Sequence, residues 1–268
     1  MAFGLIHYNT PGDTIEEFLD FLVEAGFGLA EIQVADVWPE GEANPEARAE
    51  YVAHYLRERD LTVSALTAGN NFCVETEAEI TAQAERMKRV LDLADILGTK
   101  ILRTDGGWPG PDDTRPGSYW VEPIVKCLER CLEFAAPRGF KFAIDNHGNV
   151  TNEWPVQLMI FDKLPSPAVG ANLDTMNYRW WGQSVELLRE IYVGIAPHVI
   201  HTHLKDGIGS RENYQGRVLG EGEIPLEFAV QCLKDTGYEG PWMAEYEVFD
   251  GDKAADCQRC LQWMLTHI

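Results

Sequence analysis

The chain has 268 residues, 45% of them hydrophobic, and a formal net charge of −21 at pH 7. That length holds one large domain or two small ones, and the apolar share suffices for a substantial core. So acidic a surface repels phosphate backbones and anionic lipids, which excludes nucleic acid and membrane surfaces as general partners. No apolar run is long enough to span a bilayer. Met1–His7 enters an apolar segment without a basic head or cleavage signal, so the expected location is the cytoplasm. The six cysteines, Cys73, Cys127, Cys131, Cys232, Cys257 and Cys260, lack paired zinc spacing and read as buried free thiols.

Short apolar segments, often β-branched, predict eight strands near 3–8, 29–34, 61–66, 99–103, 140–145, 167–173, 198–204 and 241–246. Between them, apolar residues recur at spacings of three and four. Ile80, Ala84, Met87, Leu91, Ala94 and Leu97 form one such face; Val121, Ile124, Val125, Leu128, Cys131 and Leu132 form another. Thr14 with Glu17 offers a capping box, and Gly26, Gly98, Gly139 and Gly237 fall where helices should stop. No linker, low-complexity tract or domain-scale repeat interrupts the alternation. Eight β/α units in this length predict an α/β fold, a single (β/α)8 barrel domain over residues 1–268. An open doubly wound sheet would ordinarily carry a G-x-G-x-x-G turn after its first strand, and none is present.

The strand ends carry the chemistry. In Val199-Ile200-His201-Thr202-His203-Leu204-Lys205, the residues His201, His203 and Lys205 share one phase of a strand and so face one side. Polar side chains in a row cannot pack against an apolar layer without partners. Three further apolar strands end in acids, at Asp145, Asp174 and Glu245. Active sites of such barrels lie at the carboxyl ends of the strands. Two aspartates, a glutamate and a histidine on one rim form a shell for one divalent metal. Oxygen donors with one imidazole suit manganese or magnesium, with cobalt or zinc as alternatives. Each residue also has a plain structural reading: Asp174 as a helix cap, His203 as a satisfied core histidine, Lys205 as half of a salt bridge.

Other polar residues near strand ends are candidates for substrate contact: His7, Asn70, His147, Asn177, His201, Lys205 and Glu221. Trp38, Trp108, Trp180 and Trp181 fall in or beside βα loops, where flat aromatic walls suit sugar rings and loop packing is the alternative.

Asp145-Asn146-His147-Gly148, Leu173-Asp174-Thr175-Met176-Asn177, His201-Thr202-His203-Leu204-Lys205-Asp206, Gly220-Glu221-Gly222-Glu223 and Glu245-Tyr246-Glu247 resemble the xylose isomerase-like TIM-barrel superfamily, in its sugar phosphate isomerase/epimerase group. The resemblance implies one divalent metal, often manganese, with the aspartate ligand on Asp174, the histidine on His203 and the last glutamate on Glu245. Where the family has a first glutamate, this chain has the shorter Asp145. The implied activity is isomerisation or epimerisation of a ketose or related hydroxy-ketone through a metal-bound enediolate, with Glu245 and Asp145 moving the proton. The partner is a small sugar or cyclitol, and self-association is left open. Alternatives are an inosose-type dehydratase, a 3-keto-sugar lyase and a noncatalytic sugar-binding or partner subunit. A metal-dependent endonuclease on the same fold conflicts with the acidic charge.

Overall fold

The computed structural model describes residues 2–268. Its strands are β1 (Phe3–Ile6), β2 (Leu29–Gln33), β3 (Thr62–Thr67), β4 (Ile101–Asp105), β5 (Lys141–Asp145), β6 (Val169–Asp174), β7 (Val199–His203), β8 (Asp206–Ile208), β9 (Gln215–Arg217) and β10 (Trp242–Ala244). The helices are α1 (Ile15–Ala25), α2 (Val34–Val37), α3 (Pro45–Arg57), α4 (Glu77–Leu97), α5 (Val121–Ala135), α6 (Val156–Lys163), α7 (Asn177–Trp181), α8 (Val185–Ile195), α9 (Leu226–Asp235) and α10 (Lys253–His267).

Eight strands form one parallel sheet in the order β10-β1-β2-β3-β4-β5-β6-β7. The sheet curls until its edges meet. Leu204, just past β7, bridges Ala244 of β10 in parallel. There the Leu204 amide donates to the Met243 carbonyl at 2.8 Å and the Glu245 amide to the Leu204 carbonyl at 2.9 Å. The architecture is a (β/α)8 barrel, and each predicted strand is found. Among the described residues, no helix is long and apolar enough to cross a membrane.

Local chemistry agrees with this arrangement. The Thr14–Glu17 capping box opens α1, and Gly26 ends it at φ 91°. A second box, Thr76 with Glu79, opens α4. Apolar side chains fill the layer between strands and helices, with Ile32, Leu102, Phe142 and Leu173 all buried there. The barrel interior is different. Glu31, Asp145, Asn172, Asp174, His201 and His203 are fully buried within it. Barrel interiors are usually dominated by branched apolar residues, so this polar filling marks the site.

One element lies outside the sequence-based expectation. β8 and β9 form a small antiparallel hairpin beyond β7. Asp206 pins it: its carboxylate accepts the backbone N–H groups of Gly207 at 2.8 Å, Gly220 and Gly222 at 2.9 Å and Ile224 at 3.3 Å. Gly216 of β9 sits against the backbone beside the last strand, where an added Cβ would stand 2.0 Å from the Glu247 carbonyl oxygen. Only a residue without a side chain permits that approach. Gly216→Ala is expected to destabilise the protein by about 1–3 kcal/mol through overpacking, read from the urea midpoint. An unchanged midpoint would show that the hairpin does not seat on Glu247.

Candidate active site

Two chains of buried ionic contacts meet at the carboxyl rim. The first is centred on His203. Its Nε2 lies 2.5 Å from Glu31 Oε2 and its Nδ1 lies 2.8 Å from Glu245 Oε2. Glu31 also accepts from Thr67 Oγ1 at 2.7 Å. Lys205 Nζ then joins three acids from two strand ends: Asp174 Oδ2 at 3.0 Å, Glu245 Oε1 at 2.9 Å and Glu247 Oε2 at 3.4 Å. The remaining oxygen of Asp174 accepts the N–H groups of Met176 and Asn177, both at 2.8 Å. Asp174 therefore caps the short α7 and faces the site at once. Asn146 holds its backbone, donating to the Asp174 carbonyl at 3.0 Å and accepting from the Asp174 amide at 2.9 Å.

The second chain runs across β4, β5 and β6. The Arg103 guanidinium grips Asp145 and lies 3.5 Å from Asp105 Oδ1. The other Asp145 oxygen accepts from Asn172 Nδ2 at 2.5 Å, and Asn172 Oδ1 meets His201 Nδ1 at 2.8 Å. At the rim, His147 Nδ1 lies 3.2 Å from Asp105 Oδ1, and Trp108 meets the same imidazole edge-on at 5.3 Å.

These environments set the charges. Burial opposes ionisation of Glu31, but the cationic His203, the largest of the opposing influences, wins and holds its carboxyl at about 2. Burial alone would depress His203; Glu31 and Glu245 instead lift it to about 10. Burial lowers His201 to about 4, so it is neutral. Burial raises Asp174 to about 7 despite Lys205. Glu245 moves the other way: burial is outweighed by Lys205 and His203, which hold it well below the carboxylate range. Asp105 is held at about 2, chiefly by Arg103 against burial. His147 is raised against burial by its bond to Asp105.

Asp174, His203 and Glu245 each present one ligand atom, all within 4.8 Å of one another. Asp174 Oδ2 and His203 Nδ1 are buried without an aligned hydrogen-bond partner. Each still faces an opposite charge, Lys205 Nζ at 3.0 Å and Glu245 Oε2 at 2.8 Å, so an ion pair and not an aligned hydrogen bond holds it. A set of hard oxygens with one imidazole nitrogen suits a divalent ion. Glu31 on the far ring nitrogen of His203 is the kind of partner that orients a ligating imidazole. Two further groupings are Glu31 with His201 and His203, and Asp105 with Asp145 and His147; the latter carries Arg103 among its carboxylates, as the Asp174 group carries Lys205.

The model of the xylose isomerase-like TIM barrel matches residues 19–267. The chain belongs to that family. Among solved structures, a crystal structure of the IolI protein with a binding zinc atom superposes at TM-score 0.81 and 18% identity, covering 99% of this chain and 97% of that one. A probable 3-DHS dehydratase, AsbF, from Bacillus anthracis gives TM-score 0.75 at 17% identity and 99% coverage of both chains. A D-allulose 3-epimerase from Methylomonas sp. gives 0.76 at 18% identity, covering 100% of this chain and 98% of that one. At these identities the likeness is one of fold.

A cavity of about 280 Å³ opens over the two chains, with Arg103, His147, Asn177, Lys205 and Glu245 among its lining residues. Of the other residues expected to touch substrate, His201 is buried beneath that lining, 5.5 Å edge-on from His203. His7 turns away: it pairs with Asp36 at 2.8 Å and stacks on Phe18. Asn70 braces the backbone of Asp105 at 2.8 and 3.2 Å. Glu221 pairs with Arg259 on α10. None of these three lines the cavity. Asp145, expected in the metal shell, stands apart from the ligand group because Arg103 and Asn172 already occupy its oxygens. Sequence reasoning missed Glu31, Arg103 and Asp105. All sit in apolar strands with the same inward phase that flagged His201 and His203, and that signal was available in Leu29-Ala30-Glu31 and Leu102-Arg103-Thr104-Asp105.

The Glu31–His203 pair makes metal-free stability depend on pH. Glu31, depressed from 4.5, contributes fully above 4.5 and loses its contribution as pH falls towards 2. His203, raised from 6.5, contributes fully below 6.5 and loses its contribution as pH climbs through about 10. Chelator-treated protein should therefore show this pair's full contribution between pH 4.5 and 6.5. Glu31→Ala should cost about 3–5 kcal/mol there, the range for breaking a buried pair, and the loss should shrink towards both pH extremes. A pH-independent loss in urea titrations would contradict the pairing.

Proposed function

We propose that this protein is a divalent-metal-dependent isomerase or epimerase that moves a proton on a small hydroxy-ketone. The observation that carries the reading is the convergence of Asp174, His203 and Glu245 beneath a small cavity, two of their atoms lacking aligned partners. The cavity, about 280 Å³, lies at the lower end of small-molecule sites, which run from roughly 300 to 1,000 Å³. The IolI neighbour's binding zinc atom supports the metal, and the D-allulose 3-epimerase neighbour supports the reaction class. Manganese is the ion of choice on donor hardness.

Held by those three residues, a divalent ion would supply Lewis acidity towards adjacent substrate oxygens. Glu245, kept ionised by Lys205 and His203, takes the proton from the carbon beside the carbonyl. Lys205 Nζ, on the cavity wall, donates to the oxygen on which negative charge develops. Asp145 is tied to Arg103, so it is no free base. His147, braced by Asp105 and lining the same cavity, is the proton-transfer group available on the β5 side. Delivery of the proton to the opposite face epimerises; delivery to the neighbouring carbon isomerises. Loss of a β-hydroxyl instead would make the protein a dehydratase, a reading that the AsbF neighbour supports.

Lys205 favours a second reading. Its ammonium already gives Asp174 and Glu245 a shared counter-charge without an ion, which a noncatalytic sugar-binding subunit would need. Metal titration followed by C–H exchange in deuterated water across ketoses and inososes separates the two. The enzyme reading expects one tightly bound manganese ion and exchange on at least one substrate. His203→Ala should weaken metal binding by more than the roughly 10–100-fold that loss of an orienting partner costs. Glu245→Gln should slow exchange about 10²–10⁴-fold. Asp145→Asn should leave metal stoichiometry intact. Unchanged metal content in His203→Ala would sink the ligand assignment, and metal-loaded protein without exchange would favour the binding subunit.

A further inference from the structure

We propose that this site is built against anions: its substrate is an uncharged polyhydroxy compound, and Glu247, with Asp206 filling the neighbouring backbone donors, rejects phosphate esters. The inference rests on the sugar-handling reading above and adds the charge class of the substrate.

Three observations carry it. First, the cations on the cavity wall are already engaged. Arg103 is shared between Asp145 and Asp105, Lys205 faces Asp174, Glu245 and Glu247, and His147 meets Asp105. A phosphate would have to displace one of the chain's own carboxylates to reach a cation.

Second, the backbone donors that would cradle a phosphate are taken. Barrels of this class frequently bind phosphate with the loops after the seventh and eighth strands and the start of a short helix, where free N–H groups converge. Here the loop after β7 converges on Asp206, which accepts from Gly207, Gly220, Gly222 and Ile224. An added Cβ on Gly222 would stand 2.1 Å from Asp206 Oδ1, so the loop closes tightly around that carboxylate. The start of α7 is likewise filled by Asp174, which accepts from Met176 and Asn177. Both donor nests hold an anion belonging to the chain.

Third, Glu247 presents a carboxylate at the cavity wall. It is held by Lys205 at 3.4 Å, by Tyr8 Oη at 3.5 Å and by the Gly216 backbone packed on its carbonyl. A second anion brought beside it meets like-charge repulsion in a half-enclosed space, where screening is weak. The rest of the wall includes Tyr8, Trp108 and Trp180, flat apolar surfaces that suit the C–H faces of a sugar.

The test compares free sugars with their esters on the manganese-loaded full chain. D-fructose is paired with D-fructose 6-phosphate and D-ribulose with D-ribulose 5-phosphate. Binding is read by saturation-transfer NMR competition and proton transfer by deuterium uptake from solvent. The expected result is at least a tenfold preference for each free sugar. Glu247→Gln should narrow that preference to threefold or less, and Glu247→Asp, which keeps the charge, should restore it. Equal or tighter binding of the esters to the wild-type chain, or no binding of either free sugar, would overturn the proposal. An unchanged preference in Glu247→Gln would overturn the part assigned to Glu247. Preferential binding of free sugar without deuterium uptake would remove the enolising function and leave the charge filter standing. Faster uptake on the esters would do the reverse.

Discussion

The structure depends on one constraint: charges inside a closed barrel must be paired, because nothing else there can solvate them. His203 illustrates it. One imidazole on β7 joins Glu31 of β2, across the barrel, to Glu245 beside it after β10. That ring keeps Glu31 ionised, it helps Lys205 to keep Glu245 so, and the two acids hold the proton on the ring. The same logic ties Arg103 to Asp145 and Lys205 to Asp174. The barrel interior is thus a lattice of ion pairs where most barrels carry branched apolar side chains.

That lattice shapes the chemistry above it. Pairing fixes which groups are ionised and which oxygens remain available. Asp145 and Asp174 end adjacent parallel strands, yet they have different freedom. Asp145 is closed off by a guanidinium and an amide, while Asp174 keeps one buried oxygen against Lys205, which lines the cavity. Arg103 standing on β4 is what separates the surroundings of Asp145 from those of Asp174, His203 and Glu245.

Stability and function pull on the same side chains. Two buried ligand-type atoms lack aligned partners. Both face opposite charges, on Lys205 and Glu245, so ion pairing holds them in place of an aligned hydrogen bond. Lys205 serves as a resident counter-charge to the acids around it. Its position among Asp174, Glu245 and Glu247 explains how they coexist at the end of one cavity without repelling the strands apart.

Much of this was legible in the chain itself. The alternation of short apolar segments and three-four periodic faces determined the (β/α)8 barrel, since each segment must bury one face against its neighbour. Strand phase put His201, His203 and Lys205 on one face, and strand-end position put Asp145, Asp174, His203 and Glu245 at the carboxyl rim. The motifs from strand five onward determined the family. Only the tertiary structure decided which partners each charge found. Glu31 and His203 are 172 positions apart and meet solely because the barrel closes. No local pattern could place Arg103 against Asp145, draw His7 to Asp36 or set Glu221 on Arg259, because those pairings depend on strand stagger and helix packing across long sequence separations. The physical reason is that hydrophobic periodicity is local and repeats along the chain, whereas the solvation of a buried charge is settled by whatever lies opposite it in three dimensions.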